Sequence, residues 1–126
     1  MGIHFTWDTQ LEDVARYTAH DPWDWKEFHR VVRVSTFSFY KAKRLVDSIV
    51  DFRGTTLPAG AVGHIRSIGR KQNEFMSGRA VVIGLDAATV QQIGAVDGIF
   101  RTGEQSIAFA DDNDEAYQIM QLWRKG

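Results

Sequence analysis

Hydrophobic and polar residues alternate at the N-terminus. Ile3, Phe5 and Trp7 fall on one side of an extended chain, His4 and Thr6 on the other, the period-two signature of a half-buried strand. Asp8-Thr9-Gln10 supplies turn chemistry, and Val14 to His20 reads as a second strand with Ala15, Tyr17 and Ala19 on one side. A helix competes there, because Leu11, Val14 and Ala15 also fit a helical stripe; the hairpin is favoured. Asp21-Pro22 marks a helix start: the carboxylate caps free N–H groups, and proline suits a first position that needs no donor. Trp25, Phe28, Val32, Ser35 and Phe39 then share one face at spacings of three and four. Val31 to Tyr40 is rich in residues that favour strand locally. No turn signal separates Phe28 from Tyr40, so a helix is preferred and a strand stays open.

Leu45 to Phe52 predicts a buried strand, followed by a connection through Arg53-Gly54-Thr55-Thr56-Leu57. Pro58 opens a second helix with Ala61, Val62, Ile65 and Ile68 inward and Arg70 and Lys71 at its last turn. Its three glycines, Gly60, Gly63 and Gly69, make it dependent on packing, at roughly 1 kcal/mol each against alanine. Arg79 to Leu85 holds the apolar run Ala80-Val81-Val82-Ile83, which fits a strand covered on both faces. Asp86 caps a third helix with Val90 and Ile93 inward, and Val96, Ile99 and Phe100 extend the apolar surface past Gly94. Ser106 to Ala110 predicts a last strand. Asp112 with Glu115 forms a capping-box pattern ahead of the stripe Ala116, Ile119, Met120 and Trp123. The strict alternation of strand and helix in the second half implies a largely parallel sheet. The expectation is a single α/β domain over residues 1–126, with a mixed, mostly parallel sheet of about five strands and four helices.

Composition narrows the function classes. The 126 residues carry 15 Lys+Arg and 16 Asp+Glu, a net charge of −1, so no general attraction to nucleic acid is expected. The absence of cysteine excludes disulfides, thiolate metal sites and a Cys nucleophile. No apolar stretch reaches the ~20 residues of a spanning helix, and no basic-then-hydrophobic leader stands at the N-terminus, so no membrane insertion and a cytoplasmic location are expected. Met1-Gly2-Ile3-His4-Phe5-Thr6 matches a myristoylation pattern, but an N-terminal strand that happens to begin with glycine is the better reading.

The order of elements and several segments resemble a STAS domain, the fold shared by sulphate transporters and anti-sigma-factor antagonists. The best match is Ser48-Ile49-Val50-Asp51-Phe52-Arg53-Gly54-Thr55-Thr56-Leu57-Pro58, similar to the family's core strand ending in an aspartate and, after two residues, a glycine. Ala80 to Gly84 with Asp86-Ala87-Ala88-Thr89-Val90, and Ser106 to Ala116, resemble the family's next strand and helix start and its closing strand and acidic cap. The resemblance implies a protein-interaction or regulatory module whose partner is anti-sigma-factor-like or kinase-like. It also implies a departure. Where the antagonists carry a phosphorylatable serine at the start of the helix after the core strand, this chain reads Ala59-Gly60-Ala61-Val62. No hydroxyl is available there, so the phosphorylation switch is expected to be missing.

Candidate chemistry is sparse. His4, His20, His29 and His64 show no His-x-His or His-Glu-x-x-His spacing, so no metal site is expected. Asp47 and Asp51 share a strand face, but no partner base or nucleophile accompanies them; Asp51 is expected to bond the turn that follows it. No catalytic residue and no cofactor are expected. Pro58, Ala59, Gly60, Ala61, Gly63 and His64 are the candidate binding residues: helix-start N–H groups attract anions there, and glycines permit close approach. The segment matches neither a phosphate-binding loop nor the dinucleotide fingerprint, so close packing on the sheet or on a partner protein is preferred to a ligand. Trp23 and Trp25, about 200° apart if both are helical, are not expected to enter the same core. If Val31 to Tyr40 is helical, Val31, Val34, Phe37 and Tyr40 leave an apolar surface suited to a homodimer. A non-catalytic interaction module leads; a small-ligand or lipid carrier, with its pocket between the sheet and the long first helix, is the alternative, and an enzyme comes third.

Overall fold

A computed structural model describes residues 2–125. Six strands form one sheet: β1 (Ile3–Trp7), β2 (Val14–Ala19), β3 (Val46–Asp51), β4 (Met76–Ile83), β5 (Ile99–Thr102) and β6 (Gln105–Ala110). The helices are α1 (Trp25–Ala42), α2 (Ala61–Arg66), α3 (Ala87–Ile93) and α4 (Asn113–Lys125). The strand order is β1-β2-β3-β4-β6-β5. The central pairs β2–β3, β3–β4 and β4–β6 are parallel, and antiparallel β1 and β5 close the two edges. Val50 lies opposite Val82 in the parallel pair β3–β4, so the aspartate-ended strand and the Ala80–Ile83 run are central neighbours.

The alternation of side chains across the sheet divides the core into two layers. Tyr17, Val50, Val82 and Ile107 face a layer filled by Trp25, Phe28 and Phe39 of α1, Ile65 of α2 and Ile93 of α3. Val14, Ile49, Val81 and Ala108 face the other layer, covered by Ala116 and Met120 of α4. One helix does not span six strands. At the β1–β2 end the α4-side positions are accordingly polar: His4, Thr6, Arg16 and Thr18.

The β-branched stretch Val31–Tyr40 is helical, held by the burial of Ser35, Thr36 and Phe39. Tertiary packing there overrides local strand preference. The start of α1 differs from the sequence expectation. Asp21 does not cap it; the Asp21–Pro22 peptide is cis, and Asp24 is the cap, accepting from the Glu27 N–H at 2.7 Å. Trp23 therefore precedes the helix, and the 200° argument fails for it. Both indoles enter one core, edge to face at 4.7 Å, with Trp23 stacked on Phe52.

The second helix is shorter than expected. It begins at Ala61 after Gly60, which takes a left-handed φ of 84°, and ends at Arg66. Arg70 and Lys71 lie beyond it. The cation in its last turn is Arg66, whose guanidinium donates to the Gln92 and Ile93 carbonyls at the end of α3. Strand β5 was not expected. Its signal is Gly103-Glu104, a two-residue hairpin loop joining Ile99–Thr102 to Gln105–Ala110. At α4, Asp112 accepts from Glu115 N, while the Glu115 carboxylate reaches Asp111 N, one residue earlier than in a standard capping box.

Candidate functional site

The segment after β3 is built from the aspartate outward. Asp51 lies on the α4 side of the sheet and accepts from the Arg53 backbone N–H at 3.0 Å. The Arg53 guanidinium closes on both carboxylate oxygens at 3.0 and 2.7 Å, and Arg16 approaches at 3.5 Å. Burial alone would raise the Asp51 pKa, but these donors and cations together hold it below the ordinary carboxylate range. Arg16 continues the network to Asp8 and to the Asn113 amide oxygen, and Tyr117 donates to Asp8 at 2.9 Å. The network ties β2, β3 and the start of α4 together. The carboxylate bonds its following turn, as the sequence suggested, and its oxygens are occupied by guanidinium groups.

Close approach fixes the next step. Gly84, just past β4, sits at φ 94°, and a Cβ there would lie 2.9 Å from the Arg53 nitrogen. The chain then passes Thr55, whose hydroxyl donates to Asp21 and accepts from the Trp23 indole N–H at 2.7 Å. The Thr56 N–H also reaches Asp21, at 3.0 Å. Asp21 thus anchors the turn ahead of α2 instead of capping α1. Pro58 accepts from Trp25 Nε1 at 3.1 Å, which fastens the beginning of the candidate segment to α1.

The structure splits the six candidate residues. Pro58, Ala59, Gly60, Ala61 and Gly63 line one open depression of about 380 Å³ together with Thr89 and Gln92 of α3. His64 points the other way, into the α1–α2 contact. Its ring stacks on Trp25 at 4.9 Å and its Nδ1 lies 2.9 Å from His29 Nε2. The depression is apolar at its α2 wall and amide- and hydroxyl-lined at its α3 wall. It contains no cation and no carboxylate, so it favours neutral contact over anion capture. Sequence reasoning missed Thr89 and Gln92. Both sit on the helix that Asp86 caps, and they reach the site because α2 and α3 are side by side.

Two other hollows bear on function. Between α1 and the sheet, Tyr17, Phe28, Val32, Ser48, Val50 and Met76 enclose a cavity of about 30 Å³. That is room for one or two waters and far below the roughly 300–1,000 Å³ of small-molecule pockets. The phenol at its wall is engaged: Tyr17 Oη lies 2.6 Å from Ser35 Oγ, and burial pushes the Tyr17 pKa up. A wider open depression of about 640 Å³ at the far end of α1 is lined by Asp8, Glu12 and Asp13 together with Lys41 and Arg44. Its mixed charges select no ligand class.

Among the described residues no group of three or more His, Asp or Glu side chains is placed to hold a metal ion, and no helix is long and apolar enough to cross a membrane. No family model, curated protein or solved structure matches the chain.

Proposed function

We propose that this chain is a non-catalytic, cytoplasmic protein-interaction module of the STAS type, working without the phosphorylation switch of the anti-sigma-factor antagonists. The observation that carries the reading is the α2–α3 depression. An apolar turn, Pro58-Ala59-Gly60-Ala61, is presented at the surface beside Thr89 and Gln92, directly after the aspartate-ended central strand. Glycines and small side chains of this kind let another backbone approach closely. The carboxylate nearest the turn, Asp51, is engaged by Arg53 and Arg16, which supports a scaffolding role for it. The partner is an anti-sigma-factor-like or kinase-like protein. A carrier of lipids or small ligands is the weaker alternative, because the cavity beneath α1 would have to open many-fold to admit one.

A photo-cross-linking side chain at Gly63 tests the proposal, since a side chain built there meets nothing within 4 Å. A covalent adduct with an anti-sigma-factor-like or kinase-like protein, lost when exposed Ala59 is changed to Arg, is the expected result. An adduct indifferent to Ala59→Arg, or a lipid carried through purification and seen by native mass spectrometry, sinks it.

A further inference from the structure

The outward side of α1 is strongly polarised. Lys26, Arg30, Arg33 and Lys41 are exposed along it, and none of them forms a salt bridge among the described residues. Lys43 and Arg44 continue the run past the helix end. Six of the chain's 15 Lys and Arg thus fall within residues 26–44, against one of its 16 acids, Glu27. That acid accepts from the Ile3 N–H at 3.2 Å, so its carboxylate is turned toward β1. The rest of the molecule is net negative, and positive potential is concentrated on this one face.

Large apolar groups stand among these cations. Phe37 is 68% exposed, Val34 56% and Tyr40 49%. Arg30, Phe37 and Lys41, separated by seven and four residues, lie along one line of the helix surface. The apolar core face of α1 is on the opposite side, so these groups belong to a second, outward surface with its own chemistry.

Three occupants compete for it. A second copy, the occupant suggested by the sequence, would bring α1 against its symmetry mate and set the cations Arg30, Arg33 and Lys41 of one copy near those of the other. An acidic motif is held by clustered Arg side chains, and a peptide that docks as a helix also needs a groove. The helix face is convex, and the hollow beside it, formed by Phe5, Arg30, Val31 and Val34, is open and only about 240 Å³. A lipid surface needs no concavity. Basic side chains interleaved with Phe, Val and Tyr on one exposed helix face are the composition that seats at a charged bilayer interface.

We propose that the outward face of α1 docks peripherally on an anionic lipid surface, with Phe37 and Val34 entering the headgroup layer and Arg30, Arg33 and Lys41 facing the phosphates. The contact uses no residue of the Pro58–Gly63 segment, so both surfaces can be occupied by different partners.

Co-sedimentation of the full chain with vesicles tests this, using pure phosphatidylcholine and phosphatidylcholine mixed with phosphatidylglycerol. Binding to the mixed vesicles alone is expected, weakened by added salt because the attraction is screened. Each cation at an anionic surface contributes roughly a fivefold factor, so Arg30→Glu with Arg33→Glu should weaken binding by about tenfold or more. Both residues are exposed and without ion-pair partners, so the fold is kept, which circular dichroism checks. Phe37→Ser should weaken binding at constant charge, and Arg101→Glu, exposed on β5, should leave it within about twofold. Absence of binding to the mixed vesicles, or equal binding by the double variant, overturns the proposal. So does a dimer in light scattering that Phe37→Ser dissociates, which would assign the face to a second copy, or binding to poly-glutamate with none to vesicles.

Discussion

His64 Nδ1 and His29 Nε2 lie 2.9 Å apart, and this single imidazole–imidazole hydrogen bond joins α2 to α1 beneath the stacked ring of Trp25. One ring must donate and the other accept, so the two rings cannot both be imidazolium and keep the bond. Burial, then the neighbouring His64 and Arg33, lower the His29 pKa from its ordinary value. The unfolded chain therefore takes up a proton at His29 at a higher pH than the folded chain does. The stability this residue contributes is present above about pH 6.5 and is lost as pH falls through the folded-state value. Melting temperature should drop more steeply below about pH 6.5 in the parent protein than in His29→Gln, which has no titrating ring at position 29. Parallel melting curves for the two proteins across that range would show the histidine pair to be inert.

Gly63 and Gly84 should respond oppositely to alanine. Gly63 is inside α2 and a Cβ there meets nothing within 4 Å, so Gly63→Ala should stabilise by about 0.5–1 kcal/mol through helix preference. Gly84 has φ 94° and a Cβ would press on the Arg53 backbone, so Gly84→Ala should destabilise by about 1–3 kcal/mol. Urea denaturation of both variants checks the signs. A neutral Gly84→Ala would mean that the β4 exit and the Arg53 turn are not in contact in solution.

The parallel core was legible because Ser48–Asp51 and Ala80–Ile83 are runs of small and apolar residues covered on both faces, a pattern that exposed elements do not produce. The last helix was legible from its cap and its i, i+3, i+4, i+7 stripe. What escaped depended on distant partners. Asp21 has the sequence signature of a cap, yet its carboxylate goes to Thr55 and Thr56, 34 and 35 residues away. α2 ends early as its backbone tightens into three-residue turns at Ser67 and Ile68, and Arg66 bonds the carbonyls of α3, a contact 27 residues distant that no local periodicity carries. The candidate site was half legible. Pro58 to Gly63 could be singled out as a glycine-rich helix start, but the union with Thr89 and Gln92, and the turning of His64 toward His29, are consequences of helix packing.

Thr55 is a structural hydroxyl. It links Asp21 to the Trp23 indole, and phosphorylation would set a dianion against the Asp21 carboxylate. Thr55→Val removes one donor and one acceptor and should destabilise by about 1–2 kcal/mol. Thr56 contributes its backbone N–H to Asp21 and is exposed, so Thr56→Val should stay within about 0.5 kcal/mol. Chemical denaturation followed by tryptophan fluorescence separates the two. Phosphopeptide mapping of protein from its native source should find no modified residue between Thr55 and Ala61; a phosphate there would contradict both the sequence departure and this bonding pattern.

Asp47 is the other buried carboxylate of β3, 2% exposed, and it is held from two elements. Arg79 of β4 reaches it at 3.1 and 3.3 Å, and Arg124 near the end of α4 at 3.0 Å. Arg79 also donates to the Trp123 carbonyl and Arg124 to the Asp13 carbonyl, so the carboxylate pins the far end of α4 across β2, β3 and β4. Asp47→Ala leaves two guanidiniums without their shared acceptor. Both are partly open to water and can turn outward, which places the expected loss near 2–3 kcal/mol and below that of a fully enclosed pair. Arg124→Ala keeps the Arg79 bonds and should lose about 1 kcal/mol. Hydrogen exchange locates the effect: in Asp47→Ala the last two turns of α4 should lose protection while β3 and β4 keep theirs. Uniform loss across the sheet would show that Asp47 supports the core itself and not the docking of α4 in particular.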